Sequence, residues 1–175
     1  MLIFDLETNG LLDDLSCVHC LVIFDTEADQ MLVFNDTGAE QPLVRGITML
    51  EEADTIVGHN CIGFDIPAIQ KCYPFFTPPN NVIDTLLLSR LYHADLLNID
   101  KQNAWKHMPL QLYGRHSLQA YGYRLGEYKG SFCEHTDWKE WSQEMQDYCV
   151  QDVEVTKKLC SHFHPYLTGS KWSTK

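Results

Sequence analysis

No apolar run in this 175-residue chain approaches the length of a membrane span, and the N-terminus has no basic region followed by a hydrophobic stretch. The sequence therefore reads as a cytoplasmic protein with no membrane partner. Internal repeats, low-complexity segments and obvious linkers are also missing, which points to one domain, with 45% hydrophobic residues to build its core. Positive charge is scarce. Lys and Arg number 13 against 24 Asp and Glu, for a net charge of −11, a balance that argues at first against a polyanionic substrate. The seven cysteines (Cys17, Cys20, Cys61, Cys72, Cys133, Cys149, Cys160) lack the spacing of a disulfide framework. Cys17-Val18-His19-Cys20 has no second C-x-x-C to complete a zinc site, even with Cys133 or His135. All seven read as small buried hydrophobes in a reducing compartment.

What is present begins with "LIFDLETNG", residues 2–10. If Leu2 to Thr8 is a strand, Asp5 and Glu7 point to one face and Leu6 to the other. Two like charges sharing a face repel unless solvent, a cation or a substrate offsets them. Asn9-Gly10 then ends the strand with turn chemistry.

The remaining pattern is α/β. "CVHCLVIFDT" and "MLVFND" read as a hairpin after strand one, "PLVRGITMLEEA" as a helix opened by Pro42, and "DTIVGHN" as a buried strand ending at Gly58. A helix over 66–73, a strand-to-helix segment in "NVIDTLLLSRLYHADL" and a helix in "HSLQAYGYRLG" closed by Gly126 follow. A last helix starts near Ser142 and carries Tyr148 and Asp152 four residues apart, on one face. Between these, "GHNCIGFDIPAI" puts His59 and Asn60 at a strand end and Asp65 at a helix start, where a carboxylate commonly caps. Ends of strands in open α/β sheets are nevertheless where sites form.

Asp5, Glu7, Asp65 and Asp152 thus make four acids from a first strand, a strand-to-helix junction and a late helix. Oxygen-rich sets of this kind suit hard cations such as Mg²⁺ or Mn²⁺. In this order "DLET", "HN" followed by "FD", and "YCVQD" resemble the three exonuclease motifs of the DEDD superfamily of 3′-to-5′ exonucleases, in the subclass with tyrosine in the third motif. The intervening "NVIDTLLLSRLYHADL" and "HSLQAYGYRLGEYKG" resemble the proofreading domain of podovirus-type family A DNA polymerases. The likeness covers nearly the whole chain, weakest over 12–55 and after Phe163.

The resemblance implies a ribonuclease-H-like fold, a mixed central sheet flanked by helices, with an exonuclease domain over 1–164 and a tail over 165–175. It implies two divalent ions, Mg²⁺ or Mn²⁺: Asp5, Glu7 and Asp152 around the first, Asp5 bridging to a second, and Asp65 reaching that one largely through water. Tyr148 would orient the attacking water. Leu11 corresponds to a residue that wedges against the terminal bases, while Thr8, Asn60 and Lys129 would meet the substrate. Sequence alone equally allows Leu11 to be a turn-flanking core residue, and Phe64 reads as core.

Lys101, Lys106, Arg115, Arg124 and Lys129, interleaved with Trp105, Tyr113, Tyr121, Tyr123 and Tyr128, form a net basic window in an acidic chain. That composition fits a single-strand track, and equally a helix core with a solvated charged face. The expected activity is hydrolysis of DNA from single-stranded or frayed 3′ ends to nucleoside 5′-monophosphates. RNA 3′-end trimming and a catalytically silent replisome-docking module are the alternatives. A separate DNA polymerase is an expected partner, and an infected host's cytoplasm the expected location if the gene is a phage's. The chain would be a stand-alone exonuclease or a domain of a larger protein.

Overall fold

Leu2–Thr8 forms β1, the middle strand of a five-stranded sheet, and its alternation decides the architecture. Leu2, Phe4 and Leu6 pack into one apolar cluster, Ile3 into another on the opposite face. Both faces of the strand are therefore covered. The computed structural model describes residues 1–37, 40–103, 105–127 and 138–171. Strands β2 (Val18–Asp25), β3 (Gln30–Phe34), β4 (Thr55–Gly58) and β5 (Asn81–Asp84) complete the order β3-β2-β1-β4-β5. β1 to β3 run antiparallel, while β4 and β5 run parallel to β1. This is the mixed sheet expected from the sequence.

Helices α1 (Leu43–Glu52) and α2 (Asp65–Cys72) cover the face of Phe4. A Cβ on Gly46 would lie 2.8 Å from Leu21 and Phe34, so glycine there allows α1 its close approach to the sheet. The face of Ile3 is covered by the long helix that the third motif predicts. In chain order α3 (Thr85–Tyr92), α4 (Leu96–Asn103) and α5 (Leu118–Leu125) come first, and α6 (Gln143–Leu167) packs on β1, β2 and β4. Ser142 caps α6 by accepting from the Met145 N–H, and Gly126 ends α5 in the left-handed conformation at φ 71°. No helix among the described residues is long and apolar enough to cross a membrane.

Helix α4 has no element of its own in the sequence reading, and α6 runs on to Leu167, with Tyr166 packed on the Phe163 cluster. The basic, aromatic window also resolves differently. Arg124 is buried, its guanidinium forming a bidentate pair with Asp100 through Nε at 2.9 Å and Nη2 at 2.7 Å. Trp105 Nε1 and the Gly114 N–H donate to the same carboxylate. Tyr121 is core, and Trp105, Tyr113 and Tyr123 pack around Met108, Leu112 and Ala120. The helix-core alternative accounts for these side chains, and Arg124 cannot meet a phosphate. Tyr128 lies outside the described residues.

Asp100 is fully buried, and burial raises its pKa, but the hydrogen bonds from Arg124, Gly114 and Trp105 prevail and hold it below the usual value. Removing its charge leaves Arg124 buried and uncompensated, so Asp100→Asn should lower unfolding free energy by about 3–5 kcal/mol. The double variant Asp100→Leu/Arg124→Met should recover part of that loss. Urea denaturation measures both, and a loss below about 1 kcal/mol for Asp100→Asn would mean the pair is not structural.

Candidate metal centre

On β1, Asp5 and Glu7 follow Ile3 onto the α6 face, opposite Val22 and Cys20 of β2. Both are half-buried. From above them α6 lowers Cys149 and Val153 into the same apolar cluster, which brings Tyr148 and Asp152, on the adjoining flank, to the cleft. The third contributor is the turn after β4. Asp84, at the end of β5, accepts from the Asn60 N–H at 3.0 Å and the Ile62 N–H at 3.1 Å while capping α3 through the N–H of Leu86 and Leu87. One buried carboxylate therefore fixes both the turn and the start of α3. Asn60 adopts φ 64° within that turn and its carbonyl accepts from Gly63 and Phe64.

Asp65 is the first residue of α2, but Phe64 holds the cap position and no side chain caps this helix. The capping alternative for Asp65 therefore does not apply. Its carboxylate is buried and hydrogen-bonded to its own backbone and that of Leu6, facing Asp152 and Asp5. Asp5, Glu7, Asp65, Tyr148 and Asp152 all line one cleft of about 730 Å³. A ligand oxygen from each of Asp5 and Glu7 lies within 4.8 Å of the other.

The electrostatics have one direction. Burial, then Asp65, Asp152 and Glu7, hold Asp5 well above the carboxylate range. Burial, with Cys20, Asp152 and Asp65 adding, pushes Glu7 up to about 9. Burial raises Asp65 and Asp152 to about 7, opposed at Asp152 by a hydrogen bond from the Tyr148 side chain. Four acids that resist ionising together form a cluster that a cation would discharge. Their oxygen donors fit the hard divalent ions expected, with Asp5, Glu7, Asp65 and Asp152 as the residues that would hold them.

Of the expected substrate contacts, Asn60 lines this cleft, while Thr8 and Leu11 line an adjoining cavity of about 290 Å³. Leu11 is 75% exposed, so the core alternative fails for it. Phe64 packs on the core and lines both cavities. Lys129 lies outside the described residues, and Lys101 and Lys106 are exposed without lining the cleft.

Sequence reading did not single out Arg90 and Trp138 as cleft residues, whereas Arg115 of the basic window and His59 at the strand end do line it. Arg90 and Leu86 are four apart on α3 and both reach the cleft, a helical spacing that could have exposed the arginine. His59 is held at Nδ1 by Thr85 Oγ1 at 2.9 Å, and burial lowers its pKa to about 4 despite Asp84, so it is neutral near pH 7. Trp138 sits edge-on to Tyr148 at 6.4 Å between ring centres, and nothing in its local sequence announces this.

The chain matches the profile of RNase_H_2, a family of the RNase_H superfamily, over residues 2–164. It is 36% identical over 189 residues to the DNA-directed DNA polymerase of Escherichia phage T7, and 36% identical over 184 residues to that of Enterobacteria phage T3. Each alignment covers 91% of this chain but 26% of the polymerase, so the chain spans about a quarter of the length of these relatives. Among solved structures, Brucella melitensis NrnC superposes with a TM-score of 0.65 at 19% identity over 97% of this chain and 74% of NrnC. The ExoI–ssDNA complex of E. coli gives 0.54 at 17% identity over 97% of this chain and 42% of ExoI. At these identities the likeness establishes the fold.

The raised acids generate a pH prediction. A carboxyl whose pKa rises from 3.8 to about 7 on folding binds its proton more tightly when folded. The stability this contributes is complete below about pH 4 and lost as pH climbs through about 7, with Glu7 extending the loss toward about 9. Without divalent cations, Tm should therefore fall between about pH 5 and about pH 8. Mn²⁺ should raise Tm more at the upper pH, and Asp152→Asn should flatten the decline. An equal Mn²⁺ effect at both pH values would contradict the assignment of these acids.

Proposed function

The chain belongs to the RNase_H_2 family of the RNase_H superfamily, and on that premise we propose that it is a divalent-cation-dependent 3′-to-5′ exonuclease acting on DNA, with single-stranded or frayed ends preferred. The observation that carries this reading is the meeting of Asp5, Glu7, Asp65, Asp152 and Tyr148 in one cleft that Arg90 and Arg115 also line. Bound there, two Mg²⁺ or Mn²⁺ ions would acidify the attacking water and stabilise the departing 3′ oxygen.

The chain's own residues supply the rest. Asp5 and Glu7, fixed on the central strand, present oxygens within reach of one another, and Asp152 adds the α6 contribution. Tyr148 orients the water, its side chain already hydrogen-bonded toward Asp152. Exposed Arg90 and Arg115 attract the phosphates of the last nucleotides. Leu11, three-quarters exposed beside the second cavity, packs against the terminal base, and Asn60 and Thr8 bound the nucleotide's path. Water adds to the scissile phosphorus, the bond to the 3′ oxygen breaks, and a nucleoside 5′-monophosphate leaves. A DNA polymerase, in the same chain or separate, is the partner that the phage relatives support, in an infected cell's cytoplasm.

The test is digestion of 5′- and 3′-labelled DNA and RNA oligonucleotides, single- and double-stranded, with and without Mg²⁺ or Mn²⁺. The expected result is a ladder shortened from the 3′ end of DNA, dependent on the cation. Preferential RNA digestion would move the protein to RNA trimming, and no digestion under Mn²⁺ would leave a docking module.

Two substitutions separate the roles. Asp5→Ala should abolish turnover while folding at least as well as wild type without metal, because one repelling charge is gone. Tyr148→Phe should bind Mn²⁺ and a DNA 3′ end nearly normally but cleave about 10²- to 10⁴-fold more slowly in single turnover. Wild-type cleavage by Tyr148→Phe would reject the water-orienting role.

A further inference from the structure

A second cavity, of about 300 Å³, opens between α4, α5 and α6 and shares no lining residue with the metal-centre cleft. Arg124 lines it with a side chain only 5% exposed. Nε and Nη2 of that guanidinium are taken up by Asp100, but Nη1 is buried with no hydrogen-bond partner. A buried donor left unpaired costs more than an average hydrogen bond contributes, so an acceptor that reaches Nη1 through the cavity removes that cost.

The rest of the lining says what kind of acceptor fits. Trp105 spends its Nε1 on Asp100, Tyr121 its hydroxyl on Ser89, and His93 and His162 bond each other through Nε2 at 2.8 Å. These four rings therefore offer the cavity ring surface, which favours a planar aromatic guest. Charge narrows the class further. The Arg124 cation is already matched by Asp100, and burial lowers the pKa of both His93 and His162, so near pH 7 the imidazoles are neutral. An anion gains little here, whereas a neutral carbonyl oxygen meets an open N–H. The volume stands at the small end for ligand pockets and suits one ring system instead of a strand.

We propose that this cavity binds one uncharged, carbonyl-bearing heteroaromatic ring of the nucleobase class, presented by a free nucleoside, with a ring oxygen accepting from Arg124 Nη1. The ring packs among Trp105, Tyr121, His93 and His162, and the sugar faces the rim, where Ile99 and Asn103 are exposed. The site stands on the unpaired donor and the lining around it, and does not rest on the exonuclease reading.

The four tryptophans make the test specific, because Trp105 lines this cavity and Trp138 lines the metal-centre cleft. The full chain is labelled with 5-fluorotryptophan, and the ¹⁹F resonance of Trp105 is assigned by replacing the other three singly with Phe. Thymidine, thymidine 5′-monophosphate and indole are titrated with EDTA present. Thymidine should move the Trp105 resonance saturably, with Kd on the order of 0.1–1 mM, and leave Trp138 in place. Indole, which has the ring but no carbonyl, should bind about 2- to 10-fold more weakly, and the monophosphate no more tightly than thymidine. Ile99→Tyr and Asn103→Tyr crowd the rim without touching the Arg124 pair with Asp100, and circular dichroism checks each fold. Either should weaken thymidine on the order of 10- to 100-fold. No saturable movement of Trp105 by about 10 mM would mean that nothing beyond water meets Nη1, and would overturn the site. Movement of Trp138 alone, or unchanged affinity in both rim variants, would put the nucleoside elsewhere and overturn it as well. Indole binding as tightly as thymidine would overturn the hydrogen bond to Arg124, and a monophosphate binding tenfold more tightly would overturn the preference for an uncharged guest.

Discussion

The burial of four carboxyl groups in one cleft is the constraint around which the molecule is arranged. Asp5, Glu7, Asp65 and Asp152 come from the central strand, the start of α2 and α6, and each is held above its ordinary pKa first by burial. Such a cluster opposes folding of the metal-free chain, so the surroundings must hold it in place by other means. Apolar packing on both faces of β1 does most of this. The cost of the acids is then local and the stabilisation distributed, which is the usual condition for a strained site to persist.

Hydrogen bonding supplies what packing cannot. Asp84 joins the Asn60–Ile62 turn to the start of α3, and Thr85 Oγ1 connects Gly58 at the end of β4 to His59. On the other side of the cleft's lining, His116 contacts Ser89, whose hydroxyl also meets Tyr121, and Tyr121 lies under Arg124 with the guanidinium carbon 4.8 Å from its ring centre. Arg124 in turn is paired with Asp100. The residues that could bear on phosphate and those that hold α3, α4 and α5 together are thus linked by one buried polar chain, and the loss of a single member leaves its neighbours unsatisfied.

Those parts of this structure were legible in the sequence whose cause lies within a few residues. Period-two alternation put Asp5 and Glu7 on one face, and helical spacing put Tyr148 beside Asp152, because both patterns follow from local backbone geometry. Gly126 and Ser142 marked helix ends for the same reason. At Asp65 the sequence left capping open beside the metal role, and the neighbouring Leu6 backbone and the other acids show why the side chain turns inward instead of capping. The basic window misled because composition cannot distinguish Arg124 facing phosphate from Arg124 facing Asp100, a residue 24 positions away. Trp138, and the bonds from Asp84 to the Asn60–Ile62 turn, depend on contacts with distant segments and left no local trace.

The central position of β1 has a further consequence, in what carries each side of the cleft. β1 is paired on both edges and covered on both faces, so its amides belong to the part of the molecule that opens only on global unfolding. Arg90 and Arg115 instead project from the solvent-facing side of a short helix and from a turn between helices. Asp5 and Glu7 are therefore carried by the middle strand of the sheet, while Arg90 and Arg115 sit on the exposed side of the cleft. An exonuclease of the proposed kind, which must take one base after another without shifting its reacting atoms, is served by acids seated on the stiffest strand of the sheet.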